Sequence, residues 1–393
     1  MLRAALYRQS LGDTLAAVPA FIALPNIESN MSGVELPIDR LPELWPSNLR
    51  GARIGAVLHP ASVSASLVHS ARILERFSGS LLHLAAFFGP QHGYLGQTQD
   101  NMIEWEGFRH PRLGIPVHSL YGTSREPTRE MLGGLDALVI DLQDIGTRYY
   151  TFIWTLYLCL KACARDRIAA VVFDRPNPIN GVSVEGPLPD PSYRSFVGLH
   201  PLPVRHGRTI GELALQFRDE AFPGCELIVL PMEGWEREMW FDRTGLPWVL
   251  PSPNMPTLDT ATVYGGMCLL EATNISEGRG TSRPFELFGA PWISGEDFAA
   301  SLNALGLPGV YFREAYFQPT FHKYAGEICG GAQLHVIDRD CFLPFRTGVE
   351  IIRHARARYG ANFQWKAPPY EYEYDHLPIE VLIGGPVSAL FPE

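Results

Sequence analysis

Ala137-Leu-Val-Ile-Asp-Leu-Gln-Asp-Ile-Gly-Thr-Arg-Tyr-Tyr150 begins with four apolar residues and breaks into carboxylates, an amide, an arginine and two tyrosines. A short apolar run that stops at polar residues reads as a buried strand leaving its sheet into a polar loop. The same pattern occurs three more times. Residues 54–58 precede His59-Pro-Ala-Ser62, 82–88 precede Gly89-Pro-Gln-His-Gly93, and 169–173 precede Asp174-Arg-Pro-Asn177. In an open parallel sheet the carboxyl ends of all strands lie along one edge, so the four loops are expected to share one crevice. Lined by Asp, His, Gln, Arg and Asn, that crevice reads as an enzyme cleft.

Helical spacing fills the gaps between these runs, over 63–77, 128–135 and 151–165. Thr209-Ile-Gly-Glu212 has the form of a capping box ahead of an amphipathic stretch, 210–219, and another buried strand is expected at 227–230. Strands alternating with helices predict an α/β fold, a parallel sheet with helices on both faces. The second half mixes its elements: helices at 258–271, 295–305 and 348–359, strands at 309–317 and 333–337. This predicts a smaller α+β domain. The expected organisation is an extension over 1–30, an α/β domain over 31–240 and the smaller domain over 241–393, with a cleft where the two domains meet.

The chain has 393 residues, 46% apolar and 19% charged, which is globular composition. A formal charge of −10 without a basic block argues against a nucleic-acid partner. No run of eighteen apolar residues is present, so no membrane span is expected. Arg3 and Arg8 ahead of the apolar stretch 15–24 give only a poor match to a secretion signal, because Asp13 intervenes and no small-residue cleavage site follows. A cytoplasmic location is therefore expected, with export as the alternative. The six cysteines are scattered, and Cys159 and Cys163 have helical rather than metal or redox spacing, so reduced thiols are expected.

Several chemistries lack their signatures. No G-x-x-x-x-G-K-[ST], G-x-G-x-x-G after a first strand, or H-E-x-x-H occurs, so neither a metal nor an organic cofactor is expected. Gly181-Val-Ser-Val-Glu-Gly186 misses the closing glycine of a nucleophile elbow. What remains suits a sugar. Hydroxyls are met by Asp, Asn and Arg, sugar faces stack on aromatic rings, and glycosidic cleavage needs carboxyl groups. Asp141 and Asp144 with Arg148 and Tyr149, Asp174 with Asn177, Asn254, Asn274, and Glu277-Gly-Arg279-Gly are the groups in view. Each has a structural alternative: Asp141 as a cap, Asp144 with Arg148 as an ion pair, the Asp174 loop as a proline-stiffened turn, Arg279 as part of a surface turn.

Phe88-Gly-Pro-Gln-His-Gly93, Ser119-Leu-Tyr-Gly122, Asp141 to Tyr150, Asp174-Arg-Pro-Asn-Pro178, Ser252-Pro-Asn-Met-Pro256 and Asn274-Ile-Ser-Glu-Gly-Arg-Gly-Thr281 together resemble the peptidoglycan exo-β-N-acetylmuramidase family. The resemblance runs from about Leu36 to Gly384. It implies a Rossmann-like amino-terminal domain, a smaller carboxyl-terminal one, and removal of N-acetylmuramic acid from the non-reducing end of peptidoglycan fragments. The family reads Pro-Glu-His-Gly where this chain has Pro90-Gln91-His92-Gly93, and that Glu is its favoured catalytic residue. An amide cannot donate a proton as a general acid. Asp100, Glu104 and Glu106 are the nearest substitutes. The proton donor and the group that steadies the acetamido nitrogen are sought among Asp144, Asp174, Asp100 and Glu277, with Asp141 beside them. His92 is either a donor to the leaving oxygen or a hydrogen-bonded loop residue. Gln91, Arg148, Tyr149, Asn177, Asn254, Asn274 and Arg279 are the expected substrate-binding residues. The rival expectations are a sugar-binding or sensing protein that lost catalysis with Gln91, and an enzyme acting on another acidic sugar.

Overall fold

Strands β1 (Arg53–Val57), β2 (His83–Gly89), β3 (Phe108–Arg109), β4 (Pro116–Ser119), β5 (Ala137–Ile140), β6 (Ala169–Phe173) and β7 (Leu227–Leu230) form one sheet in the order β3-β4-β2-β1-β5-β6-β7. All neighbours are parallel except β3, which runs antiparallel beside β4 at the edge. The computed structural model describes residues 33–100 and 102–392, so the expectation of an extension over 1–30 lies outside the described residues.

Successive residues of the central strands enter different cores, as the pleat requires. Leu138 and Ile140 of β5 and Ala170 and Val172 of β6 join one buried cluster; Ala137, Val139, Ala169, Val171 and Phe173 join the other. Helix α1 (Ser70–Arg76) covers the second face with Ala71 and Leu74. Helices α2 (Phe152–Asp166) and α3 (Ile210–Ala221) cover the first with Trp154, Leu160, Leu213 and Phe217. Each fully buried Val, Leu or Ile contributes about 1.5–3 kcal/mol, so a strand with no polar face is stable only when both faces are covered. The α/β expectation is met. Thr209 caps α3 through Glu212 N–H, and Glu212 returns a bond to Thr209 N–H at 3.0 Å.

Two readings shift. Helix α1 occupies only the last half of 63–77, because Val63 and His69 pair as a bridge and hold the preceding segment as a turn. The stretch 128–135 makes a single turn, Arg129–Leu132, capped by Thr128 and stopped before Gly133-Gly134. Strands β3 and β4 were invisible in the apolar pattern, since Arg109, Pro116 and His118 interrupt it.

From β1 the chain fills β2 and β4 on one side, then returns to place β5, β6 and β7 on the other. The strand order therefore reverses between β1 and β5, which is where open α/β sheets form ligand crevices.

The second sheet is antiparallel: β8 (Leu287–Ala290), β9 (Val310–Phe317) and β10 (Cys329–Val336), in the order β8-β10-β9. Helix α5 (Gly295–Asn303) packs on it through Phe298 against Phe288. Helices α4 (Leu258–Met267) and α6 (Pro344–Tyr359) meet where Gly266 and Gly348 face one another. A Cβ at Gly266 would lie 1.9 Å from the Pro344 carbonyl oxygen, so only glycine admits this approach. After Met267 the chain tightens into a 3₁₀ turn, Cys268–Ala272, which delivers Glu271. One buried cluster runs from Trp154 and Phe217 through Phe288 and Phe298, so the two sheets share a continuous core.

Candidate active site

The polar loop after β2 is turned sharply inward. A Cβ on Gly89 would stand 2.5 Å from Tyr94 N, and His92 adopts a positive φ of 69°, so the loop folds tightly over its own strand end. Gln91 and His92 thereby face a cavity. The loop after β5 adds Tyr149, Tyr150, Thr151 and Phe152 at the start of α2. The remaining walls are Ser252 and Asn254, Tyr264 of α4, Glu271, Arg279, Phe285, and Tyr370 with Glu371 from near the carboxyl terminus. Aromatic rings with interspersed charges suit a sugar.

Two carboxyl groups line this cavity, and their surroundings differ. Arg279 Nη2 donates to Glu271 Oε1 at 2.6 Å, while the Tyr370 hydroxyl donates to Oε2 at 2.7 Å. Among the described residues, the side-chain donors to Glu371 are neutral. Tyr121 Oη–H donates to Oε2 at 2.7 Å and Gln91 Nε2 donates to Oε1 at 3.2 Å. Burial pushes the Glu371 carboxyl above its ordinary value, and the hydrogen bonds from Tyr121 and Gln91 only partly offset this. Thr151 Oγ1 donates to Gln91 Oε1 at 2.5 Å, which points the amide nitrogen at Glu371 and at Tyr121 Oη.

Arg279 is 6% exposed and packs over Phe285 at 5.1 Å. Its Nη1 has no hydrogen-bond partner among the described residues. A buried guanidinium nitrogen without a partner, on a residue that lines a cavity, has spare capacity for an anion. His92 Nδ1 lies 2.8 Å from the Thr98 carbonyl oxygen, which can only accept, so Nδ1 carries the proton and Nε2 is an acceptor. Burial holds the His92 pKa down to about 4, so the ring is neutral near pH 7. Asn254 lines the cavity and ties the loop at Gln99 to it, donating to the Gln99 carbonyl at 2.7 Å.

Asp141, Asp144, Asp174, Asp100, Glu277, Arg148, Asn177 and Asn274, all expected in the cleft, are not part of this lining. Asp141 is a buried ion-pair partner of Arg175, whose Nη2 reaches it at 2.9 Å, and also accepts from Ser70 Oγ. Asp144 Oδ2 accepts from Gly146 N at 2.7 Å and faces His206 Nε2 at 3.1 Å. Asp174 receives Gly211 N, Thr209 Oγ1 and Arg175 N, anchoring the start of α3. Arg148 is fully buried and donates to the carbonyls of Pro187, Leu202 and Leu382. Asn177 closes a turn onto Ile179 N and donates to the Arg208 carbonyl. Asn274 pairs with the backbone of Asn362 and Gln364. Glu277 is buried beside Lys323 at 2.8 Å and His322 at 3.1 Å; burial alone would raise its pKa, but Lys323, His322 and Arg279 together hold it well below the usual range. Of the four strand-end loops, those after β2 and β5 reach the cavity. Those after β1 and β6 spend their polar groups inside the protein, His59 and Ser62 on the β5 loop, Arg175 on Asp141 and Asp174 on the start of α3, because buried polar atoms must be satisfied before any ligand.

Among the described residues no group of three or more His, Cys, Asp or Glu is placed to hold a metal ion, and no helix is long and apolar enough to cross a membrane.

Comparison with known proteins adds an independent observation. Family models described as exo-β-N-acetylmuramidase NamZ, N-terminal and C-terminal, match residues 54–259 and 262–388. The chain belongs to the NamZ family. The peptidoglycan β-N-acetylmuramidase NamZ of Bacillus subtilis (strain 168) is 45% identical over 352 residues, which is 90% of this chain and 84% of that one. Two crystal structures of DUF1343 family proteins from Bacteroides fragilis NCTC 9343 are also similar. One has a TM-score of 0.80 at 32% identity, covering 91% of both chains. The other has 0.68 at 26%, covering 89% of this chain and 88% of that one.

Within this family's fold, Thr151, Tyr264, Glu271, Tyr370 and Glu371 are cavity residues that sequence reasoning missed. Glu271 sits in an apolar run that reads as core, and Glu371 follows no strand. The one available signal for Glu371 was the alternation Tyr370-Glu-Tyr-Glu-Tyr374, acids set among rings as in a sugar site.

Proposed function

We propose that this chain is an exo-acting glycoside hydrolase that removes N-acetylmuramic acid from the non-reducing end of peptidoglycan fragments. The carrying observation is Arg279: a buried guanidinium whose Nη1 is unsatisfied faces a cavity walled by tyrosines. N-acetylmuramic acid differs from N-acetylglucosamine by a lactyl carboxylate, and that is the group such a nitrogen would take. The Bacillus subtilis relative, a peptidoglycan β-N-acetylmuramidase by name, supports the same substrate class. The amide at Gln91 does not leave the site without acids, because Glu271 and Glu371 both line it.

The test is release of 4-nitrophenol from its N-acetylmuramic acid and N-acetylglucosamine β-glycosides. Release from the first and not the second is expected. Tight binding of the muramic glycoside without release would replace the hydrolase with a sugar sensor.

A further inference from the structure

We infer that Glu371 is the general acid of this enzyme, standing in for the carboxyl group that Gln91 lacks. This deepens the glycosidase reading and rests on it.

Three observations meet at this residue. The first is position: Glu371 is 4% exposed, lines the cavity, and lies within hydrogen-bond reach of Gln91, the residue at which the sequence motif would place an acid. The second is the division of labour between the two cavity carboxyls. Glu271 has its charge matched by Arg279, whereas Glu371 has no ion-pair partner among the described residues and is met by a phenol and an amide. Burial, helped by the negative charge of Glu271, outweighs the hydrogen bonds from Tyr121 and Gln91 and the pull of the Arg125 charge, and so favours the protonated form. Tyr121 is itself pushed above its ordinary value, so its hydroxyl remains a donor and orients the carboxyl without competing for the proton's destination.

The third observation is backbone strain. Tyr370 and Glu373 exchange hydrogen bonds at 3.0 and 2.9 Å across a two-residue turn whose central residues, Glu371 and Tyr372, have φ values of 45° and 67°. Such turns favour Asn-Gly, and a bulky residue there is strained. The turn is held by its side chains. Tyr370 reaches Glu271, Tyr372 lies 3.6 Å beneath the Arg125 guanidinium, and Glu371 enters the cavity. A strained turn that places a carboxyl in the cavity lining is a device for positioning that carboxyl.

The step balances simply. The anomeric C–O bond breaks, its electron pair stays on the leaving oxygen, and that oxygen takes the Glu371 proton. Water supplies the hydroxyl that ends on the anomeric carbon, and its remaining proton restores the Glu371 carboxyl directly or through solvent. Oε2 is committed to Tyr121, so Oε1, with only the long 3.2 Å contact to Gln91, carries the proton to the sugar. Gln91 is then a positioning residue: Thr151 fixes its amide, and the amide fixes Glu371.

The test compares leaving groups. Glu371→Gln should lower kcat/KM on the disaccharide of N-acetylmuramic acid and N-acetylglucosamine by ~10²-fold or more. On the 2,4-dinitrophenyl glycoside, whose leaving oxygen needs no proton, the loss should be below about tenfold. The alkaline limb of the pH profile should vanish in the variant. In the wild type, that limb should lie above the ordinary glutamate range for the disaccharide and weaken for the aryl glycoside, a reading that does not depend on the variant folding. Equal losses on both substrates in a variant of unchanged melting temperature, or an alkaline limb indifferent to leaving group in the wild type, overturn the role of Glu371 alone. A wild type that releases no sugar from either substrate overturns the glycosidase reading and this role with it.

Discussion

Gln91 and Glu371, 280 positions apart in the chain, share a hydrogen bond of 3.2 Å in which the amide of the first donates to the carboxyl of the second. The contact joins the loop after a central strand of the parallel sheet to a turn near the carboxyl terminus. It also predicts what a second acid would do there. Gln91→Glu places two carboxyls within hydrogen-bond reach, and the pair should titrate in two steps, the last proton held more tightly than by either alone. A general acid works while protonated, so the alkaline limb of kcat/KM should move up by about one pH unit or more. A pH profile superimposable on that of the wild type would show that position 91 does not speak to the proton donor.

Arg279→Lys keeps the charge beside Glu271 but removes the open Nη1. Kinetics on the muramic glycoside should show kcat/KM lower by about 10–100-fold, carried mainly by KM, with the melting temperature little changed. Unchanged kinetics would confine Arg279 to its ion pair with Glu271.

Asp174 illustrates a carboxyl that looks catalytic in sequence and is structural in the fold. Burial pushes its pKa up to about 6 even though three donors reach it. A pKa raised on folding means the folded state binds the proton more tightly; the contribution to stability is whole below about 4 and is lost as pH rises through about 6. Asp174→Asn has no such loss. Its stability relative to wild type should therefore climb between pH 4 and 6 by at most ~2–3 kcal/mol and then level off. Urea unfolding at pH 4.5, 6 and 7.5 measures this. Turnover should be unaffected, because Asp174 does not line the cavity; a variant that folds but does not turn over would return it to the active site.

Gly266→Ala should be destabilising by about 1–3 kcal/mol or more, since its Cβ would lie 1.9 Å from a backbone oxygen of α6 that cannot step aside. Denaturant titration should show a lower midpoint with the slope retained. An unaltered midpoint would mean that α4 and α6 can separate freely.

The sequence by itself determined five of the seven strands of the parallel sheet and the helices α2 and α3 that cover it. Apolar runs at β1, β2, β5, β6 and β7 have no polar side to present to water, and the helical stretches between them supply the cover, so a parallel sheet follows from local pattern and burial alone. The Thr209 to Glu212 capping box was legible for the same reason: its partners are three residues apart. The six quoted strings placed the chain in its family. Which polar residues face the ligand was decided only by tertiary structure. Asp141, Asp144, Asp174, Arg148 and Glu277 carry the side chains of a sugar site, yet each lies outside the cavity lining and is engaged by a partner brought from elsewhere: Arg175, His206, the start of α3, three carbonyls, and Lys323 with His322. Whether a carboxyl is free to do chemistry depends on which cations and donors surround it in space, and for Glu371 those are Tyr121 and Gln91, 250 and 280 residues away along the chain.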